Sequence, residues 1–329
     1  MFINNMTFSD YLKEKDKLNN NVQYCNLKEY IWDNTINKEE FEKQFYNINE
    51  PIVIRGLCKP IVPNENITHF LKTNMNDMLI PIEVYNSNLE YYNGLDNPQS
   101  VNMNTSEYFD NIVNEEPPFY YMAELDILPH TNNYFEGNNL YKHFENPNYK
   151  INYHKGQMLF VGNNTTSGCH CHVTENYILN QIYGTKIVYF FEYSSNDDII
   201  SKYKEEQPNF IKENFFELDH SKFKNLYKVV LEPGDSVCIP PWWYHAVRGL
   251  NVNCSITNIY ERYNISYLFF PEIKYYLILA IIEEYIDKIT YFLNYLLEYK
   301  LYIFLFILIL FILLYYFDFW NYYSNLIFH

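Results

Sequence analysis

Two separated segments constrain the fold of this chain most: Ser167 to His172, reading Ser-Gly-Cys-His-Cys-His, and Gly234 to His245, reading Gly-Asp-Ser-Val-Cys-Ile-Pro-Pro-Trp-Trp-Tyr-His. The first places His170 and His172 at alternate positions, which on a strand puts both imidazoles on one face. The second is a glycine turn, an apolar strand, a proline-aromatic bend and a third imidazole, His245. Three histidines brought together across a small β-barrel make a metal site. The run Cys169-His170-Cys171-His172 also admits a zinc-cluster reading, but the sequence has no CxxC partner for it.

Around these segments the pattern is one of short strands: Met158–Val161, Tyr177–Tyr183, Lys186–Phe191, Lys228–Leu231, Ser236–Ile239 and Cys254–Tyr260. Turns separate them, notably at Gly184-Thr185 and Pro233-Gly234-Asp235. Many short antiparallel strands predict a jelly roll. Before it, Lys38–Tyr46 and Asn66–Met75 predict short helices, and Pro51–Leu57 a strand ending in a turn at Gly56. Trp242, Trp243 and Tyr244 are expected to pack around the barrel mouth, as core aromatics or as a substrate platform.

Composition limits the functions available. A net charge of −16 excludes a general nucleic-acid binder, which needs a basic face. The six cysteines are scattered without a framework, which predicts free thiols in a reducing compartment. The N-terminus lacks the apolar stretch of a signal peptide.

The other end differs. Residues 301–317 are apolar or aromatic without a charge, and at ~1.5 Å per residue they cover ~26 Å, near the ~30 Å hydrocarbon core. Tyr315, Tyr316, Trp320, Tyr322 and Tyr323 resemble an interfacial aromatic belt. The expectation is a single transmembrane helix, a tail anchor. Lys288 and Lys300 precede it and no Lys or Arg follows it, which keeps the main domain facing the cytosol. Residues 267–300 read as an amphipathic helical stalk, with an interfacial or dimerising helix as alternatives, so a homodimer is one expected assembly.

Four ordered motifs carry a family resemblance. Asn49 to Leu57, Met103 to Leu125, Leu159 to Lys186 and Gly234 to Tyr260 together resemble the JmjC-type, cupin-like Fe(II)/2-oxoglutarate-dependent oxygenases, in particular their protein-hydroxylase subgroup. The implied architecture is mainly β: a double-stranded β-helix with flanking helices over residues 49–266. A helical lead-in over 1–48 precedes it, and the stalk, the membrane helix and a short tail over 318–329 follow.

The resemblance also implies site residues. His170 matches the first iron ligand and His245 the distal one. The acidic position between them holds His172, with Glu175 nearby as an alternative third ligand. A shift of register would make His172 the first ligand and put Thr174 in the acidic position; Ser167 and Asn176 both fit the His170 register. For 2-oxoglutarate, Lys186, Ser167 and Tyr121 match the groups that bind its far carboxylate, and Asn176 and Asn258 match polar residues lining the pocket. The cofactor set is Fe(II) with 2-oxoglutarate as co-substrate, and the expected partner is a protein. The implied function is a membrane-anchored protein hydroxylase. Loss of the acidic ligand keeps a second function open, a catalytically inactive scaffold at a membrane.

Overall fold

The computed structural model describes residues 7–33, 35–47, 49–58, 66–75, 77–87, 99–114, 116–127, 154–203 and 209–261. Further on it describes 274, 277–279, 281–282, 285–290, 309 and 311–312. The chain divides into two compact units, Met1–Tyr267 and Leu268–His329.

In the first unit, strands β1 (Lys28–Ile31), β2 (Ile52–Arg55), β3 (Leu79–Tyr85), β4 (Gln99–Asn104), β5 (Phe119–Asp126), β6 (His154–Asn163) and β7 (Thr166–His170) precede β8 (Glu175–Tyr183). They are followed by β9 (Lys186–Glu192), β10 (Tyr227–Leu231), β11 (Ser236–Ile239), β12 (Trp243–Gly249) and β13 (Val252–Glu261). Nine strands form one sheet in the order β1-β2-β11-β8-β13-β6-β5-β3-β4, and four form the other, β10-β9-β12-β7. Apart from β1 on β2, the pairings are antiparallel. This is the jelly roll that the strand pattern predicts, and every strand read from the sequence between Met158 and Tyr260 forms.

Alternation decides what each strand gives to the interior. Leu179 of β8, Val188 and Phe190 of β9, Val237 and Ile239 of β11 and Trp243 of β12 pack together between the sheets. The intervening residues face outward. Ile178 and Cys238 meet Phe41 and Phe45 of the helical segment Lys38–Tyr46. Ile182, Cys254 and Ile256 lie in a cluster with Leu71 of the helix Ile67–Asn74 and Tyr108 of the helix Thr105–Asn111. Asn66 caps the former helix, its side chain accepting from Thr68 N–H at 3.0 Å.

Turn chemistry fixes the corners. Gly184 has φ +68°, and a Cβ there would collide with the Val252 carbonyl, so the β8–β9 turn requires glycine. At the β10–β11 turn, Asp235 accepts from Arg55 at 2.5 Å, and Arg55 also forks onto Glu29 at 2.6 and 3.2 Å. One arginine thereby ties β1, β2 and the Gly234-Asp235 turn.

The N-terminal residues are part of the barrel wall. The helix Phe8–Asn19 packs Phe8, Tyr11 and Leu12 against Tyr121 and Phe160 of the nine-stranded sheet. Tyr11 also takes a hydrogen bond from Arg248 of the four-stranded sheet at 3.2 Å. The chain then follows the outer face of the smaller sheet, where Tyr24 meets Tyr189 and His220. Cys25 bridges Tyr227 before the chain joins β2 as β1.

In the second unit, residues 277–279 and 285–290 are helical, with Tyr285, Ile286 and Ile289 exposed. The expected span 301–317 lies outside the described residues save for Ile309, Phe311 and Ile312, which are helical. Among the described residues no helix is long and apolar enough to cross a membrane.

Candidate metal centre

His170 ends β7 and His245 sits near the start of β12, directly opposite it in the antiparallel register. The register slips between His245 and Val247, so Ser167, three residues before His170, also pairs inward, opposite Val247. His172 lies beyond the strand end and is placed by other contacts. Its carbonyl accepts from Trp242 N–H at 2.8 Å, and its ring stacks on Tyr177 with centroids 3.5 Å apart and planes 9° from parallel. Trp242 holds the left-handed φ of +64° while fully buried. Trp242, Trp243 and Tyr244 are all core residues.

The three imidazoles converge. Ring centroids are 4.4 Å apart for His170 and His245, and 5.0 Å for each pair with His172. One nitrogen from each ring falls within 4.8 Å of the others, a spacing that can hold a metal ion. Two rings are oriented from behind. Nδ1 of His170 is 2.9 Å from the Gly168 carbonyl, and Nδ1 of His245 is 3.2 Å from that of Trp243. A carbonyl can only accept, so each Nδ1 donates and each Nε2 lone pair is left for a metal. Burial lowers the pKa of all three, and mutual repulsion among the rings adds to this for His172 and His245. Neutral imidazole is the ligating form.

The other candidates divide. Glu175 is half-buried at the start of β8 and does not join the converging group. Cys169 and Cys171 are buried and also stand outside it; all six cysteines are free thiols. Lys186 lies at the inward phase of β9, with Val188 and Phe190, and is 3% exposed. It donates to Ser255 Oγ at 2.6 Å and stands 5.8 Å from the centre of the Phe160 ring. Among the described residues no carboxylate pairs with it, and burial pulls its pKa down to about 8. Tyr121 is buried on β5 in the cluster against which the same Phe160 packs. Ser167 Oγ accepts from Val247 N–H at 3.3 Å.

Asn176 and Asn258 are buried, at 0% and 5% exposed, but on the phase of their strands that faces away from the space between the sheets. Asn176 shares its face of β8 with Ile178, and Asn258 shares its face of β13 with Ile256, both outward. Asn258 Oδ1 accepts from Gln157 Nε2 at 2.9 Å on that side. Tyr177 takes the inward position beside Asn176 and is the residue that meets His172.

Three contributors escaped the sequence reading. Tyr177 was legible in principle, because it shares the inward phase of Leu179. Glu124 stands exposed at a β-bulge with φ +53°, and its charge raises the His170 pKa against the larger effect of burial. Phe210 stacks on His170 from a distant loop that carries no sequence signal.

A family model described as a cupin-like domain matches residues 38–269. A search of curated proteins returns no match.

Proposed function

The chain belongs to the cupin-like domain family, and on that premise we propose that it is an Fe(II)/2-oxoglutarate-dependent oxygenase acting on a protein side chain. The observation that carries this reading is the inward, buried Lys186 in the same barrel as three convergent imidazoles. A buried cation without a carboxylate is costly unless an anion arrives to pair with it. Lys186 lies opposite Gly249 while Phe190 lies opposite His245, so at ~3.3 Å per residue its Cα is about 13 Å further down the barrel. That separation, less the reach of the side chain, is on the scale of a small dicarboxylate.

In this reading His170, His172 and His245 hold the metal. Lys186 receives the far carboxylate of the co-substrate, with Ser167 and Tyr121 on the walls. Bound iron with 2-oxoglutarate supplies oxygen activation for hydroxylating a C–H bond. The chain's own contribution is orientation: carbonyls fix two imidazole tautomers, Tyr177 fixes the plane of the third, and the aromatic core excludes water. Full-length protein should convert 2-oxoglutarate and O2 to succinate and CO2 in the presence of Fe(II). Succinate no higher than in His170→Ala would sink the proposal.

The second reading is a membrane scaffold that has given up chemistry. It is favoured by His172 standing where the related enzymes carry an acid, which leaves three neutral ligands and a more positive site. We also propose that residues 301–317 anchor the chain in a membrane with the barrel on the cytosolic side; the uninterrupted apolar sequence supports this. Release of the protein from membranes by alkaline carbonate would contradict it.

A further inference from the structure

β7 is an edge strand, so its own sheet leaves one side of the strand bearing His170 uncovered. A short extended segment fills that side. Cys171 N–H donates to the Asn209 carbonyl at 2.9 Å, Ile211 N–H donates to the Cys169 carbonyl at 3.0 Å, and His170 and Phe210 face each other in an antiparallel bridge. Ile211 secures the segment, at 6% exposed. Phe210 does not bury itself: it remains 39% exposed, with its ring stacked on His170 at 5.6 Å and 21°. The ring is thus only partly covered, and the aromatic ring it stacks on is a candidate metal ligand.

The terminal torsion of a histidine is soft, and one hydrogen bond leaves the ring free to rock about it. His245 is enclosed in the core. The plane of His172 is set by Tyr177. For His170 the Gly168 carbonyl holds one edge of the ring, and Phe210 lies against its face. We propose that Phe210 is a positioning residue that holds the His170 ring in its metal-binding orientation, delivered by the 209–211 strap; this rests on the three-imidazole metal reading. A flat aromatic face is required, because an aliphatic side chain of similar bulk does not define a plane.

The test uses the full chain in detergent with Co(II), whose visible bands report ligand geometry without turnover. Phe210→Leu keeps an apolar side chain and removes the plane, and Phe210→Tyr keeps the plane. The expected result is Co(II) affinity about tenfold weaker in Phe210→Leu, with a changed band shape, and both restored in Phe210→Tyr. Wild-type affinity and spectrum in Phe210→Leu would overturn the role of Phe210 alone. Absence of Co(II) binding by the wild type would overturn it together with the metal reading.

Discussion

Lys186 of the four-stranded sheet reaches across the barrel to donate to Ser255 Oγ of the nine-stranded sheet at 2.6 Å. A neutral hydroxyl is thus the hydrogen-bonding partner of a buried ammonium, and the arrangement sets a pH dependence. The Lys186 pKa, ordinarily 10.5, is pulled down to about 8 by burial. Between those values the unfolded chain binds more protons than the folded one, so stability rises with pH across that window. Urea midpoints measured from pH 7.5 to 10.5 should climb in the wild type relative to Lys186→Met. Parallel curves would show that the lysine is not desolvated in solution.

The same lysine predicts how the co-substrate binds. An anion needs the protonated form, so 2-oxoglutarate affinity should fall as pH rises through about 8. Isothermal titration of the metal-loaded protein at pH 7 and pH 9 checks this. Equal affinity at both would remove Lys186 from the site.

The imidazoles give the opposite end of the pH scale. Their folded pKa values lie below the ordinary 6.5, chiefly through burial. The unfolded chain therefore takes up protons first as pH falls below 6.5, and the apo-protein loses stability there. His245→Ala should flatten that part of the curve. An unchanged acid limb would mean that these rings are protonated in the fold.

Glu124 supplies a charge test. Its carboxylate favours the protonated form of His170, so Glu124→Gln should lower the His170 pKa further. A ring-proton NMR titration reads this directly. A rise, or no change, would place Glu124 away from the centre.

The N-terminal helix makes a prediction about stability. Arg248 is 5% exposed and donates to Tyr11 Oη, with its guanidinium carbon 3.7 Å from the centre of the Phe216 ring. Tyr11→Phe removes an acceptor from a buried cation and should cost ~1–3 kcal/mol in urea unfolding. An unchanged midpoint would mean that the helix does not close the barrel in solution.

The barrel was readable because alternation and glycine turns are local signals. Gly184 and Gly234 mark corners that side chains cannot take, and His170, Lys186 and His245 fall on inward phases set by neighbouring apolar residues. Three things were not local. The slipped register between β7 and β12 lets Ser167 and His170 both pair inward at odd spacing. The segment from Asn176 to Gly184 puts Tyr177, not Asn176, on the inward phase. The closure by residues 8–31 depends on contacts such as Tyr11 with Arg248, which no short-range pattern announces.

The most direct measurement is an anaerobic titration of the full chain with Fe(II), followed by 2-oxoglutarate, watching for the visible charge-transfer band of the chelate. A three-histidine iron site with Lys186 on the co-substrate gives a band that vanishes in His170→Ala and weakens in Lys186→Ala. Iron that is not retained, with no band at any 2-oxoglutarate concentration, would contradict it and leave the scaffold reading in its place.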